Sequence, residues 1–364
     1  HFDVGEPPPA PPLAERAAAL KAKPADESSL GFGRLFTDYM YLCEYGEDQG
    51  WHSERIVPYA PFQVDPACAV LHYSQTIFEG LKCYRREDGG LQLFRARDNF
   101  ERMARSARRM GMPAPDVDRL LAGLKQLLAV ERDWVPCQPG TSLYIRPTLV
   151  AMDAKLGVHA AQQYLLYIIL SPVGAYYKGG LAPNDIYVED QYVRAVRGGV
   201  GEAKTGANYA ASILAGIEAE KLGYAQVLWL DGVERQYIEE VGAMNIFYVY
   251  GDKLVTPRLN GSILPGITRD SVLQLAGSLG LSTSEERMDI DETLADIRDG
   301  RVTEAFGSGT AAVISPVGAF AYRGEKVAVG NGGIGPVSQK LYDTLTGIQY
   351  GKLDDPKGWI TRIV

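Results

Sequence analysis

The stretch "GEAKTGANYA" at 201–210 sets one lysine, Lys204, among small residues, directly ahead of a segment with helical periodicity. A solvated surface lysine would satisfy such a stretch with no further meaning. A strand-to-helix corner, however, is where α/β folds expose reactive groups. A lysine desolvated there loses proton affinity and becomes an amine nucleophile able to form an imine with an aldehyde. The helix that follows carries Ile213, Leu214 and Ile217 on an apolar stripe.

Three further stretches could hold the rest of such an aldehyde ligand. In "ILPGITRD" (263–270), Gly266, Ile267 and Thr268 open a helix. Glycine lets the backbone approach closely, and the amides of a first helical turn, aided by the helix dipole, point at an anion. The same residues also spell an ordinary Pro-Gly turn with a Thr cap. In "FGSGTAAVISPV" (306–317), small residues let amides around Thr310 and Ala311, with the Thr310 hydroxyl, face a ligand oxyanion; a plain tight loop has the same composition. In "YIEEVGAMNIFYVY" (237–250), Glu239 and Glu240 stand ahead of a strongly apolar strand, where a carboxylate is costly unless a cation meets it. A pair of surface glutamates on a turn is the other reading. Pyridoxal phosphate has each matching part: an aldehyde for Lys204, a phosphate for amides and hydroxyls, and a protonated pyridine nitrogen for Glu240.

These pieces need a scaffold. At 364 residues the chain exceeds one ordinary core, and at roughly 150 residues per domain two are expected. Hydrophobic content of 46% and charged content of 23% fit a folded globular chain. The net charge of -8 argues against nucleic acid, whose phosphates call for clustered Lys and Arg. No apolar run approaches the roughly 20 residues of a membrane span, and no signal pattern opens the sequence, so a cytoplasmic protein is expected. Cys43, Cys68, Cys83 and Cys137 form no C-x-x-C pair and the histidines are dispersed. Buried free thiols are therefore expected, and a metal site is not.

Residues 1–28, rich in Pro and Ala, read as a flexible leader. Residues 29–174 read as a small α+β domain. Its strands fall in "CAVLHYS" (68–74), on both sides of the turn at 87–90, and in "TSLYIRPTLVA" (141–151) and "YLLYIILSPVG" (164–174). Its helices cover "RDNFERMARSARRMGM" (97–112), which Asp98 would cap, and "APDVDRLLAGLKQLLAVERDW" (114–134). Gly and Pro at 175–188 suggest an interdomain linker. Residues 189–364 then form a larger, mixed-sheet, cofactor-binding domain with helices over 209–223 and 268–280. The expected class is α+β / mixed α/β with two domains.

The blocks "FTDYM", "IFEGLKCYR", "YIRP", "LGV", "PVGAYY", "AKTGANYAAS", "IEEVGAMNIF", "ILPGITRDSV" and "GSGTAAVISPVG", in this order, resemble the branched-chain amino acid aminotransferases. That family consists of fold-type IV pyridoxal-phosphate enzymes, and the similarity runs from about residue 30 to the C-terminus. The resemblance implies roles by position. Lys204 matches the lysine that binds the cofactor aldehyde and later shuttles a proton between the substrate α-carbon and the cofactor. Tyr209 matches the partner of the cofactor's phenolic oxygen, and Glu240 that of its pyridine nitrogen. Ile267 and Thr268, after Gly266, match the amide donors to the phosphate; Thr310 adds a hydroxyl and Arg102 in "NFERM" a guanidinium.

For substrate, the resemblance gives the α-carboxylate to Thr310 and Ala311, with Tyr73 contributed across a homodimer. Phe78, Tyr144, Tyr176 and Tyr209 would wall the pocket for a Leu, Ile or Val side chain. Arg146 would take the second carboxylate of glutamate or 2-oxoglutarate, and Leu156 and Val158 would close the pocket from the partner subunit. Two departures stand out. Mammalian relatives carry a redox C-x-x-C where this chain has Ala312 and Ser315, and many relatives have threonine at Ala243. A D-amino acid aminotransferase or an aminodeoxychorismate lyase would share the scaffold, but "YIRP" and "GAYY" resemble the branched-chain group. A scaffold protein without catalysis would have no use for Lys204, Tyr209, Glu240 and Thr310 together.

Overall fold

The computed structural model describes residues 19–363 and divides the chain into two compact units. The first takes the chain up to Ala175, then Ala203–Gly206 and Ile348–Val364; the second comprises Tyr176–Glu202 and Ala207–Gly347.

In the first unit, β1 (Tyr39–Gly46), β2 (Gly50–Pro58), β3 (Thr76–Phe78), β4 (Leu81–Arg85), β5 (Leu91–Phe94), β6 (Ser142–Ala151) and β7 (Gln163–Val173) form one antiparallel sheet in the order β5-β4-β6-β7-β1-β2. β3 pairs with β6 beyond the end of β4. Along β6 the side chains alternate. Leu143, Ile145 and Leu149 enter a core shared with Phe100 and Met103 of a helix at Ala96–Arg109 and Leu124 of one at Val117–Val130. Each such fully buried side chain contributes about 1.5–3 kcal/mol. Tyr144 and Arg146 fall on the opposite face. Pro147 interrupts the ladder, because it has no N–H to offer the strand beside it. At that gap β3 ends and β4 has not begun, and Glu79 crosses it with its N–H donating to the Pro147 carbonyl at 2.9 Å. Gly80 follows by necessity, since a Cβ there would collide with the Tyr144 hydroxyl.

In the second unit, β8 (Asn184–Glu189), β9 (Gln226–Leu230), β10 (Ile238–Val241), β11 (Met244–Tyr250), β12 (Lys253–Pro257), β13 (Ser282–Glu286), β14 (Val302–Gly309), β15 (Val313–Tyr322) and β16 (Glu325–Ala328) form a mixed sheet ordered β10-β9-β8-β15-β14-β11-β12-β13. β10 also pairs with β11, which closes the strands from β10 to β11 into a ring. Ile246, Phe320 and Ile186 meet within its core. The chain then returns to the first unit, where β17 (Ile360–Ile363) pairs with β5.

Several expectations need correction. The strand read at 68–74 is a short helix, Ala69–Tyr73, which buries only Ala69; a brief apolar run does not distinguish the two forms. Asp98 does not cap its helix, which starts at Ala96; it lies in the first turn, paired with Arg95 at 2.7 Å. The helix over 209–223 breaks into Gly206–Ala210 and Ile213–Lys221, and its apolar stripe faces outward. Ile213, Leu214 and Ile217 are exposed, while Ala215 and Ala219 pack on Val227 and Trp229. The linker at 175–188 is shorter than its composition suggests, because Asn184–Glu189 is a central strand between β9 and β15. Residues 348–364 belong with the first unit, since β17 completes its sheet edge. Of the leader, residues 1–18 lie outside the described residues. Residues 19–28 are tied down: Lys21 Nζ donates to the Thr37 carbonyl at 2.9 Å, and the Glu27 carboxylate accepts from the Cys137 and Gln138 amides. Cys43, Cys68 and Cys83 are buried, but Cys137 is exposed.

Lys82 lies opposite Tyr144 in the register of β4 and β6. Burial pushes its amine down to about 8 from the ordinary 10.5. Between these values the unfolded chain binds a proton that the folded one does not, so wild-type stability should rise with pH from about 8 to 10.5. Urea unfolding of Lys82→Met against pH should lose that rise.

Candidate active site

Lys204 is half-buried and is held by its backbone on both sides. Its N–H donates to Ser106 Oγ at 2.9 Å, and its carbonyl accepts the Phe78 N–H at 3.0 Å. Thr205 Oγ1 donates to the Thr76 carbonyl at 2.7 Å, so this segment lies antiparallel beside β3, joined by side-chain and main-chain bonds together. The Lys204 ammonium lies 4.9 Å from the Phe78 ring centroid. The guanidinium of Arg146 covers the same ring at 4.6 Å, donates from Nη2 to the Tyr144 hydroxyl at 2.9 Å, and donates from Nε to the Glu79 carbonyl at 2.9 Å. Phe78, Tyr144 and Arg146 thus form one surface, an aromatic wall with a cation on it.

Arg102 lies on the helix Ala96–Arg109, one turn before Ser106. Its Nε and Nη2 each meet one oxygen of Glu79 at 2.8 Å, and both side chains are almost wholly buried. The sequence reading missed Glu79. The signal for it was a proline inside an apolar strand, which forces a break where an acidic residue can turn inward.

Tyr73 is exposed, and its hydroxyl accepts the Gly157 N–H at 2.7 Å, which anchors the loop bearing Leu156 and Val158; these are 63% and 86% exposed. Tyr73, Leu156 and Val158 are therefore brought together at the surface of the first unit.

In the second unit Glu239 and Glu240 are both buried at the start of β10, which removes the reading as surface glutamates. Glu239 accepts from Ser262 Oγ at 2.7 Å, and burial pushes its carboxyl upward. Glu240 Oε2 lies 2.7 Å from Arg194 Nε. The same guanidinium donates to the Ser262 carbonyl at 2.8 Å and to the Gly201 carbonyl at 3.1 Å. Arg194 therefore joins Glu240 to the main chain at Gly201 and Ser262. Sequence reasoning missed it, because nothing local distinguishes it from other arginines.

Asn245 is a second organiser. It is opposite Glu240 in one ladder and Ser308 in another, and its Nδ2 donates to the Leu264 carbonyl at 3.0 Å. Tyr209, Arg194, Glu240, Ala243 and Leu264 line one cavity of about 270 Å³. Gly266 is the N-cap of the helix Ile267–Ala276, no side chain caps that helix, and Thr268 is buried in its first turn. A Cβ at Gly266 would collide with Asn245 Oδ1. Thr310 and Ala311 occupy the tight turn from β14 to β15, where Val313 takes a left-handed φ of 66°. Tyr176 is half exposed against the Tyr177 ring.

These residues suit pyridoxal phosphate. A buried carboxylate, a helix start without a side-chain cap and a closely packed glycine fit the ring nitrogen and the phosphate, and among the described residues Ser308 Oγ is buried without a hydrogen-bond partner beside that turn.

The amino-transferase class IV family model matches residues 76–320, and the chain belongs to that family. It is 58% identical over 350 residues to a probable branched-chain-amino-acid aminotransferase of Staphylococcus epidermidis, covering 96% of this chain and 97% of that one. Among solved structures it resembles the Escherichia coli branched-chain amino acid aminotransferase, with 29% identity, a TM-score of 0.74, and 90% and 99% of the two chains covered. The branched-chain amino acid aminotransferase of Thermobaculum terrenum, solved in its PLP form, is 25% identical at a TM-score of 0.74, covering 90% of this chain and 98% of that one.

Removing Arg194 would leave Glu240 buried without its cation. Arg194→Ala should lower stability by about 3–5 kcal/mol in guanidinium unfolding of the cofactor-free protein.

Proposed function

We propose that this chain transfers the amino group between L-leucine, L-isoleucine or L-valine and 2-oxoglutarate, giving branched-chain 2-oxo acids and L-glutamate with pyridoxal phosphate as cofactor. The observation that carries this reading is the surface formed by Phe78, Tyr144 and Arg146. It offers apolar contact and a guanidinium side by side, which a site that alternates between an aliphatic side chain and a second carboxylate requires. The near full-length identity to the Staphylococcus epidermidis relative supports the same substrates.

When bound, the cofactor would supply an electrophilic carbon for an amine and an electron-poor ring that accepts the electrons left by a departing α-proton. Lys204 would hold its aldehyde, and the same amine would take the substrate α-proton and return it. Glu240, paired with Arg194, would hold the proton on the ring nitrogen, and Tyr209 would donate to the phenolic oxygen. Ile267, Thr268 and Thr310, with Arg102, would hold the phosphate after the approach allowed by Gly266. Thr310 and Ala311 would orient the α-carboxylate, and Tyr176 would add to the apolar wall.

A homodimer completes the reading. Tyr73 with Leu156 and Val158 is an exposed apolar group that its own subunit leaves in water, and from a second copy it would close the pocket. The cytoplasm is the proposed compartment, in line with four free cysteines and with no helix among the described residues long and apolar enough to cross a membrane.

Lys204→Ala should bind pyridoxal phosphate yet show no turnover with L-leucine and 2-oxoglutarate; near-normal rates would refute its role. Borohydride reduction of the wild type should place the label on the peptide containing Lys204. Arg146→Ala should weaken glutamate and 2-oxoglutarate by roughly ten-fold more than leucine, one lost charged contact being worth that much. Equal losses would remove Arg146 from the second-carboxylate role. Turnover of D-alanine in place of L-leucine would instead favour a D-amino acid aminotransferase.

A further inference from the structure

We propose that Glu79 is a positioning residue that sets the plane and height of Arg102 for the cofactor phosphate; this rests on the reading of Arg102 above. The carboxylate engages Nε and Nη2 together at 2.8 Å each, a fork geometry that leaves the guanidinium no freedom to swivel. Glu79 is fully buried and Arg102 is 4% exposed, so water does not compete for either.

The pair also closes a chain of bonds around Lys204. Ser106, one turn beyond Arg102 on the same helix, receives the Lys204 N–H, and Phe78, adjacent to Glu79, donates to the Lys204 carbonyl. The lysine and the arginine are thus held to the same two elements, the helix Ala96–Arg109 and the end of β3. A shift of Arg102 along its helix would have to break either the Glu79 fork or the Ser106 bond. Glu79 itself is fixed by its N–H to the Pro147 carbonyl, and Gly80 donates to its Oε2 at 3.3 Å. Its main-chain carbonyl holds Arg146 Nε, so one residue orients two cations through different atoms. A change confined to the carboxylate should therefore disturb Arg102 and spare Arg146.

The test is titration of the cofactor-free protein with pyridoxal phosphate and, separately, with pyridoxal, which has the aldehyde and ring but no phosphate. Absorbance of the bound aldehyde is the readout, with thermal unfolding of each cofactor-free variant measured alongside. Glu79→Gln should weaken pyridoxal phosphate by roughly ten-fold or more and pyridoxal by less than about two-fold, since a neutral amide offers one acceptor where the fork needs two. The preference between L-glutamate and L-leucine should remain that of the wild type. Glu79→Gln combined with Arg102→Met should bind pyridoxal phosphate no more weakly than Arg102→Met alone, because the effect passes through Arg102.

Equal losses for both ligands, no loss, or additive losses in the double variant would overturn the proposal and leave Glu79 as a fold element only. Should Glu79→Gln yield no folded protein, Glu79→Asp keeps the charge on a shorter arm and should show the same phosphate-selective loss. The underlying reading fails separately: if Arg102→Met itself loses no affinity specific to the phosphate, Arg102 is not a phosphate ligand, whatever Glu79 does.

Discussion

A charge taken out of water must be met by another charge at close range, and in this protein that constraint decides where the chemistry can sit. Arg102 meets Glu79, and Arg194 meets Glu240, each at below 3 Å and almost entirely buried. Such pairs add little net stability by comparison with apolar packing, yet losing one member is costly, because the other is left uncompensated. Both pairs therefore fix geometry more than they add stability. Each ties a residue proposed to touch the cofactor to main-chain atoms elsewhere.

Backbone bonds do the rest. Lys204 is attached through its own peptide to Ser106 and Phe78, so its backbone is fixed independently of its side chain. Arg146 is held in the same way, by the Glu79 carbonyl and the Tyr144 hydroxyl. A site that accepts two unlike substrates in turn needs such fixed roots, since each substrate must find the reactive groups at one place.

The apolar residues left at the surface carry a different message. Tyr73, Leu156 and Val158 are held together by a hydrogen bond from Gly157 rather than by a core, and all three stay exposed. The outward-facing Ile213, Leu214 and Ile217 show that an apolar stripe need not face its own core. Alanines on the other side of that helix allow the closer approach to Val227 and Trp229.

Sequence alone determined the strong periodic elements and the mixed fold, and it singled out the lysine and three stretches proposed to hold the cofactor, because these are local patterns of residue type and spacing. The short helix at Ala69–Tyr73, the broken helix after Lys204 and the strand at Asn184–Glu189 were not legible, since partners distant along the chain settle short segments. Glu79, Arg194 and Asn245 were hidden for the same reason. Each is an ordinary polar residue in its own stretch, and only tertiary structure, by burying it opposite a group many residues away, gives it a partner.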